Sequence, residues 1–193
     1  MVTGNFGADE PEFERLSDWV GEGDWAIDVG ANIGSYALEL SRLVGPLGRV
    51  IAIEPVPATF HFLSRHVVLG GCANVTLLNL AASDHCRETG ITLPSFESGL
   101  MNPYQARLSE TGEFRILTIQ IDGLELEGPI RLVKIDVEGH EMNVLRGMRC
   151  LLERHRPVVV LEGDRQEFLD FLAPMGYRRE SLAGSPNTIF VPS

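Results

Sequence analysis

Lysine is nearly absent from this 193-residue chain: Lys134 stands against 15 arginines. Positive charge as a whole is short, 16 basic residues against 27 acidic ones, for a net charge of −11. A chain this acidic lacks the phosphate-neutralising surface of a general nucleic-acid or anionic-membrane binder. Cysteine is scarce. Cys72, Cys86 and Cys150 are odd in number and far apart, with no C-x-x-C pair. That excludes a disulfide framework and a zinc finger, and predicts reduced thiols in the cytoplasm. No run approaches the ~18 apolar residues of a membrane span. The first ten residues have neither a basic nor an apolar block, so no secretory signal is expected. Glycine and proline together make 31 of the 193 residues, well below the ~25–30% of low-complexity chains.

What remains is the composition of one globular domain over residues 1–193, without internal repeats. Its hydrophobic pattern alternates. After a helical lead-in within residues 1–24, Trp25–Val29 reads as a buried strand cut off by Gly30. Ile33–Val44 carries apolar residues at helical spacing and stops at Gly45-Pro46. Arg49–Ile53 is a second strand, Ala58–Leu69 a helix closed by Gly70-Gly71, and Asn74–Leu80 is β-rich. This β-α-β-α-β order predicts a parallel sheet with helices on both faces, a three-layer α/β sandwich. Residues 84–113 break the pattern with Gly90, Pro94, Gly99, Pro103 and Gly112. A stretch of this kind reads as a lid or acceptor-side insertion, with a short hairpin or a turn around Met101–Tyr104. Beyond it come strands at Phe114–Ile121, Ile130–Ile135 and Pro157–Leu161. Helices are expected at Glu141–Glu153 and Arg165–Leu172, and a closing antiparallel pair at Tyr177–Leu182 and Thr188–Val191.

Three segments carry chemistry. Asp28-Val29-Gly30-Ala31-Asn32-Ile33-Gly34 joins the first strand to the first helix, where open α/β sheets bind ligands. Gly30 and Gly34 remove Cβ atoms that would obstruct a ligand. The dinucleotide spacing G-x-G-x-x-G is missing, and Asp28 would repel phosphate but suit a cationic group such as an ammonium. An ordinary capped turn is the plain alternative. Glu54, followed by Pro55, closes the second strand 20 residues after Gly34. An acid there accepts both hydroxyls of a ribose. The third segment, Lys134-Ile135-Asp136-Val137-Glu138-Gly139-His140-Glu141, puts Lys134, Asp136 and Glu138 on one face of a strand exit. A lysine within a strand must be paired, with Asp28 or Asp136 as its partner. His140 is the default general base. Asp136 and Glu162 are alternatives that would hold an acceptor or a divalent cation.

Taken together these residues resemble the FkbM-type methyltransferases, within the class I S-adenosylmethionine-dependent enzymes. The resemblance rests on Asp28–Gly34, Ile53-Glu54-Pro55, Ala81-Ala82-Ser83-Asp84, Ile121-Asp122-Gly123-Leu124, Lys134–Glu141 and Val144-Leu145-Arg146-Gly147. It runs from about residue 7 to Pro192. It implies a Rossmann-like, mostly parallel seven-stranded sheet with an antiparallel last strand, S-adenosylmethionine as methyl donor, and oxygen on a sugar or natural product as acceptor. Cofactor residues would be Asp28, Gly30, Asn32, Gly34, Glu54, Pro55, Ala82 and Ser83. Catalytic candidates are His140, Asp136, Glu138 and Glu162. A small hydroxylated molecule is the expected partner; a homodimer and a metal requirement stay open. A nucleotide-dependent oxidoreductase and a non-catalytic adenosyl-binding module are the competing readings.

Overall fold

Short apolar runs ended by glycine, proline or acid become the strands of a central sheet. The computed structural model describes residues 10–94 and 106–193. In chain order the elements are α1 (Leu16–Trp19), β1 (Trp25–Val29), α2 (Ser35–Val44), β2 (Arg49–Ile53), α3 (Pro57–Leu69) and β3 (Val75–Leu78). Then come β4 (Ala81–Ala82), β5 (Glu88–Thr92), β6 (Arg107–Ser109), β7 (Phe114–Ile119) and β8 (Ile130–Ile135). The chain ends with α4 (Glu141–Gly147), α5 (Arg149–His155), β9 (Val158–Glu162), α6 (Gln166–Leu172), β10 (Tyr177–Ser181) and β11 (Asn187–Pro192).

Seven strands form the main sheet in the order β10-β11-β9-β8-β1-β2-β3. β1, β2, β3, β8 and β9 run parallel. The last strand, β11, is antiparallel to both its neighbours. Alternation along the strands splits the core in two. Ala26, Val50, Ala52 and Leu132 pack under α1, α2 and α3, through Leu16, Tyr36, Leu40 and Leu63. Ile27, Val29, Ile53, Val133 and Ile135 pack under α4, α5 and α6, through Val144, Leu145, Leu152 and Phe168. The result is the expected three-layer α/β/α fold.

One expectation needs correction, and one strand finds its place outside the main sheet. The strand expected at 114–121 runs from Phe114 to Ile119. As β7 it joins a second sheet, β4-β7-β5-β6, over a small core of Val56, Ala81, Ile91 and Ile116. Ile116 and Thr118 are buried while Leu117 is 62% exposed, a one-sided pattern that suits a sheet covered on one face only. The helix read as continuous over 141–153 is broken at Met148, which leaves helical geometry at φ −128°. Gly147, just before the break, lets α4 press on the Ser83 backbone: a Cβ there would lie 1.9 Å from the Ser83 carbonyl oxygen. Asp122 then caps the new start, accepting the Cys150 and Leu151 amides at 2.9 and 2.8 Å. Of the insertion expected at 84–113, residues 95–105, with the Met101–Tyr104 turn, lie outside the described residues.

Candidate active site

The turn after β1 is sewn to the end of β2. Gly30 and Ala31 donate their amides to the Ile53 carbonyl at 2.9 and 3.0 Å, and Asn32 donates its amide to Glu54 Oε2 at 2.9 Å. Gly30 sits at φ +79°, and a Cβ there would lie 1.8 Å from the Asp136 carbonyl oxygen. Gly34, at φ +104°, faces Leu38 and Leu63. The immediate need for glycine is thus packing against β8 and α3, rather than ligand clearance. Glu54 Oε1 accepts the Val56 amide at 2.8 Å. Burial, only partly offset by these two amides, pushes the Glu54 carboxyl up to about 7.

Asp28 pairs in register with Lys134, so the two share the face under α2. Lys134 is buried and bonds Asp136 Oδ2 at 2.9 Å, with its ammonium 4.6 Å from the Tyr36 ring centre. Burial opposes its charge, yet Asp136 and Asp28 more than compensate and its pKa lies above the ordinary lysine value. Asp28 is 1% exposed, and neither of its oxygens has a hydrogen-bond partner among the described residues. Burial, with the Asp136 carboxylate working in the same direction, raises it to about 6 despite Lys134. Tyr36 donates to Glu10 Oε2 at 2.5 Å, and the Asn187 amide bonds Glu12. Three carboxylates, Asp136, Asp28 and Glu10, therefore act on one ammonium.

The exit of β8 forms the opposite wall. Glu138 takes a left-handed conformation, φ +51°, as does Asn32 at φ +50°. Such residues are uncommon outside glycine and concentrate at functional sites. Single carboxylate oxygens of Asp136, Glu138 and Glu162 lie within 4.8 Å of one another. Burial first and Asp136 second push Glu162 up to about 7, and burial also raises Glu138. A proton on Glu162 and the Lys134 ammonium on Asp136 account for the crowding, so the acids alone assign no metal. Glu141 is a capping residue: Oε1 accepts the Gly139 amide at 2.8 Å and Oε2 bonds Arg165. His140 is half-buried, and that burial lowers its pKa.

These two walls enclose a cleft of about 690 Å³, counting the part open to solvent. Gly30, Asn32, Glu54, Pro55, Ala82, Asp136, Glu138 and His140 line it, all of them expected site residues. Asp28, Gly34, Ser83 and Glu162 stand behind the lining. Ser83 is fully buried and meets His140 Nε2 at 3.0 Å. Sequence reasoning missed Thr59 and Arg107, which line the cleft. It also missed the Glu10, Glu12, Tyr36 and Asn187 cluster and the pairing of His85 with Asp84 at 2.6 Å. Asp84 adjoins the Ala81–Ser83 motif, so its neighbour His85 was the one available signal. The buried atoms Asn32 Oδ1 and Thr59 Oγ1 also lack partners. They line the cleft and fit a ligand bearing hydroxyl and amino groups, as S-adenosylmethionine does.

The model of the methyltransferase FkbM domain matches residues 28–179. The chain belongs to the FkbM methyltransferase family. The hexuronic acid methyltransferase AglP of Haloferax volcanii is 34% identical over 143 residues, which cover 72% of this chain and 56% of AglP. The chain thus spans little more than half the length of that relative. The crystal structure of methyltransferase FkbM from Methylobacillus flagellatus KT superposes with a TM-score of 0.57 at 16% identity, over 92% of this chain and 49% of that one. Aeropyrum pernix fibrillarin, solved in complex with natively bound S-adenosyl-L-methionine, gives a TM-score of 0.55 at 15% identity, over 88% and 66% of the two chains. At these identities the structural likeness is one of fold. Among the described residues no helix is long and apolar enough to cross a membrane, and the three cysteines are free.

Proposed function

We propose that this FkbM-family chain is an S-adenosylmethionine-dependent O-methyltransferase whose acceptor is a hydroxyl of an acidic sugar. The observation that carries the reading is the placing of Glu54 and the Asp136–Glu138–His140 wall on one cleft. Glu54 holds two backbone amides and keeps lone pairs for a ribose diol. Asn32 and Thr59, which line the cleft, supply acceptors for the donor's remaining polar groups. The donor supplies an activated methyl group on a sulfonium. The chain supplies proximity and alignment, a large share of the barrier lowering in a displacement, and a base for the acceptor hydroxyl. His140 is that base: it lines the cleft, and its lowered pKa keeps it neutral at physiological pH. Asp136 and Glu138 orient the acceptor.

Arg107, on β6, is the one cationic side chain lining the cleft among the described residues. It supports a carboxylate-bearing acceptor, the class that AglP's name gives for that relative. A cytoplasmic, reduced setting accords with the free thiols. Calorimetry with S-adenosylmethionine, followed by methyl transfer to glucuronate against glucose, tests the reading. Glu54→Ala should weaken donor binding by the ~1.5–3 kcal/mol of charged hydrogen bonds. His140→Ala should lower kcat by about 10²–10⁴-fold. Arg107→Gln should raise KM for the uronate and leave it unchanged for the neutral sugar. Unchanged donor affinity in Glu54→Ala refutes the donor site, and equal turnover of both sugars refutes the acceptor class.

A further inference from the structure

Behind His140 lies a chain of polar groups that the cleft does not show. Ser83, fully buried between β4 and α4, places its Oγ 3.0 Å from His140 Nε2 and 3.3 Å from Asp84 Oδ1. Asp84 also accepts from His85 Nδ1 at 2.6 Å and from Asn143 Nδ2, on α4, at 3.2 Å. His85 is about a third exposed, so the chain reaches from the cleft to the surface. The Ser83 amide donates to Ile119 at 2.8 Å, and Gly147 presses α4 against the Ser83 carbonyl. The hydroxyl is therefore held from both sides.

The direction of each hydrogen bond follows from the inventory of donors. An ionised carboxylate only accepts. Asp84 is ionised at neutral pH: burial works against it, but the bonds from His85 and Asn143 outweigh that and hold its pKa below the usual range. His85 Nδ1, at 2.6 Å from that carboxylate, carries a proton and offers Ser83 no lone pair. The Ser83 hydroxyl, 3.4 Å from that nitrogen, thus gives its hydrogen to Asp84. What it has left for His140 is a lone pair, which takes a hydrogen from Nε2.

We infer that Ser83 and Asp84 are positioning residues that fix His140 in its Nε2–H tautomer, leaving Nδ1 as the bare nitrogen that receives the acceptor's proton. Nδ1 has no partner among the described residues. The inference rests on the reading of His140 as base. In the step, the acceptor O–H proton passes to Nδ1 while the oxygen bonds the methyl carbon. The broken carbon–sulfur pair stays on sulfur. The imidazolium that results keeps its Nε2–H on Ser83, whose own hydrogen faces the Asp84 charge. This arrangement follows the logic of a serine-protease triad, with a hydroxyl interposed between imidazole and carboxylate.

The tautomer is read directly from ring ¹⁵N shifts of ¹⁵N-histidine-labelled protein at pH 8, without donor or acceptor. His140, identified by its loss in His140→Ala, should show a protonated Nε2 and a bare Nδ1. Ser83→Ala should abolish that preference and lower kcat by about 10²-fold, the lower end of a general-base effect. Ser83→Thr should restore both. Asp84→Asn, which keeps the volume of the side chain, should also loosen the tautomer and serves if Ser83→Ala does not fold. A wild-type His140 protonated on Nδ1 overturns the inference, as does an unchanged tautomer in the variants. Full turnover by His140→Ala would instead remove the base assignment, a separate outcome that the nitrogen shifts cannot produce.

Discussion

Asp28 is the residue whose charge should cost the free chain stability, and Asp28→Asn measures by how much. In the free chain its carboxyl titrates at about 6 instead of the ordinary 3.8, because burial outweighs the attraction of Lys134. An acid whose folded pKa lies above its unfolded value contributes fully below the unfolded value, and that contribution is lost as pH rises through the folded one. About two units at 1.36 kcal/mol each makes a loss of about 3 kcal/mol between pH 4 and pH 8. For a domain of this size that is a Tm decrease of roughly 6–12 °C. Asparagine does not titrate. Its buried amide carries its own desolvation cost of ~1–3 kcal/mol, but that cost is the same at every pH. The diagnostic is therefore the difference in slope. Melting curves of donor-free protein from pH 4 to 8 should show wild type losing Tm against the variant by the amount above. Lys134 bonds Asp136 at 2.9 Å, so its ammonium retains a carboxylate partner when Asp28 is replaced. Parallel wild-type and Asp28→Asn profiles would refute the reasoning, since Asp28 would then be ordinarily ionised.

Three further outcomes are expected. Glu54 titrates at about 7 in the free chain and needs its carboxylate to accept ribose hydroxyls, so donor affinity measured by calorimetry should rise between pH 6 and pH 8 and be flat in Glu54→Gln. Gly147→Ala, with its new Cβ 1.9 Å from the Ser83 carbonyl oxygen, should cost about 1–3 kcal/mol in urea unfolding, as overpacked cores do; an unchanged midpoint would show that α4 and β4 are not in such contact. Asp122→Ala removes both side-chain bonds to the start of α5 and should cost about 1–2 kcal/mol as a lost helix cap, with donor affinity unaffected.

How much of this was legible in the sequence depended on the range of the forces involved. β1 and β2 are short apolar runs ended by Gly30 and by Glu54-Pro55, and the strands begin and end there. The second sheet was hidden. Gly90 and Gly112 read as breakers, yet they are where β5 and the turn before β7 touch: a Cβ on Gly112 would lie 2.4 Å from Ile91 backbone. The unbroken apolar stripe from Met142 to Leu152 concealed the break at Met148, because Asp122, which accepts the amides at the new start, is remote in sequence. The site divided in the same way. Glu54 and the glycine turn are local signals. That Asp28 stands behind the cleft follows only from its register with Lys134. The pairing of Lys134 with an acid was readable, since a lysine in a central strand has no other recourse; the structure selects Asp136. Nothing local to His85 could show its role, which depends on Ser83 meeting His140, 57 positions away.

The backbone bonds around the cleft explain why its two walls act as one piece. Val29, the last residue of β1, accepts the Asp136 amide at 3.0 Å; the next two amides go to Ile53, and Asn32 goes to Glu54. Gly30 brings the donor turn against the Asp136 carbonyl with no side chain between them. The turn after β1 and the β8 exit are therefore held through main-chain atoms at the ends of adjacent strands, and the Glu54 side chain is tied to them by the two amides it accepts. In-line transfer loses rate steeply when reacting atoms are misplaced by an ångström, so this is the part of the cleft that must not yield. Arg107 belongs to the second sheet, which the order of strands leaves outside this stitching. Arg107 is exposed and makes none of these bonds, so its exchange leaves them in place. In the proposed reading, the wall that aligns the methyl donor is fixed in the main sheet while the residue that would meet the acceptor's carboxylate sits on β6.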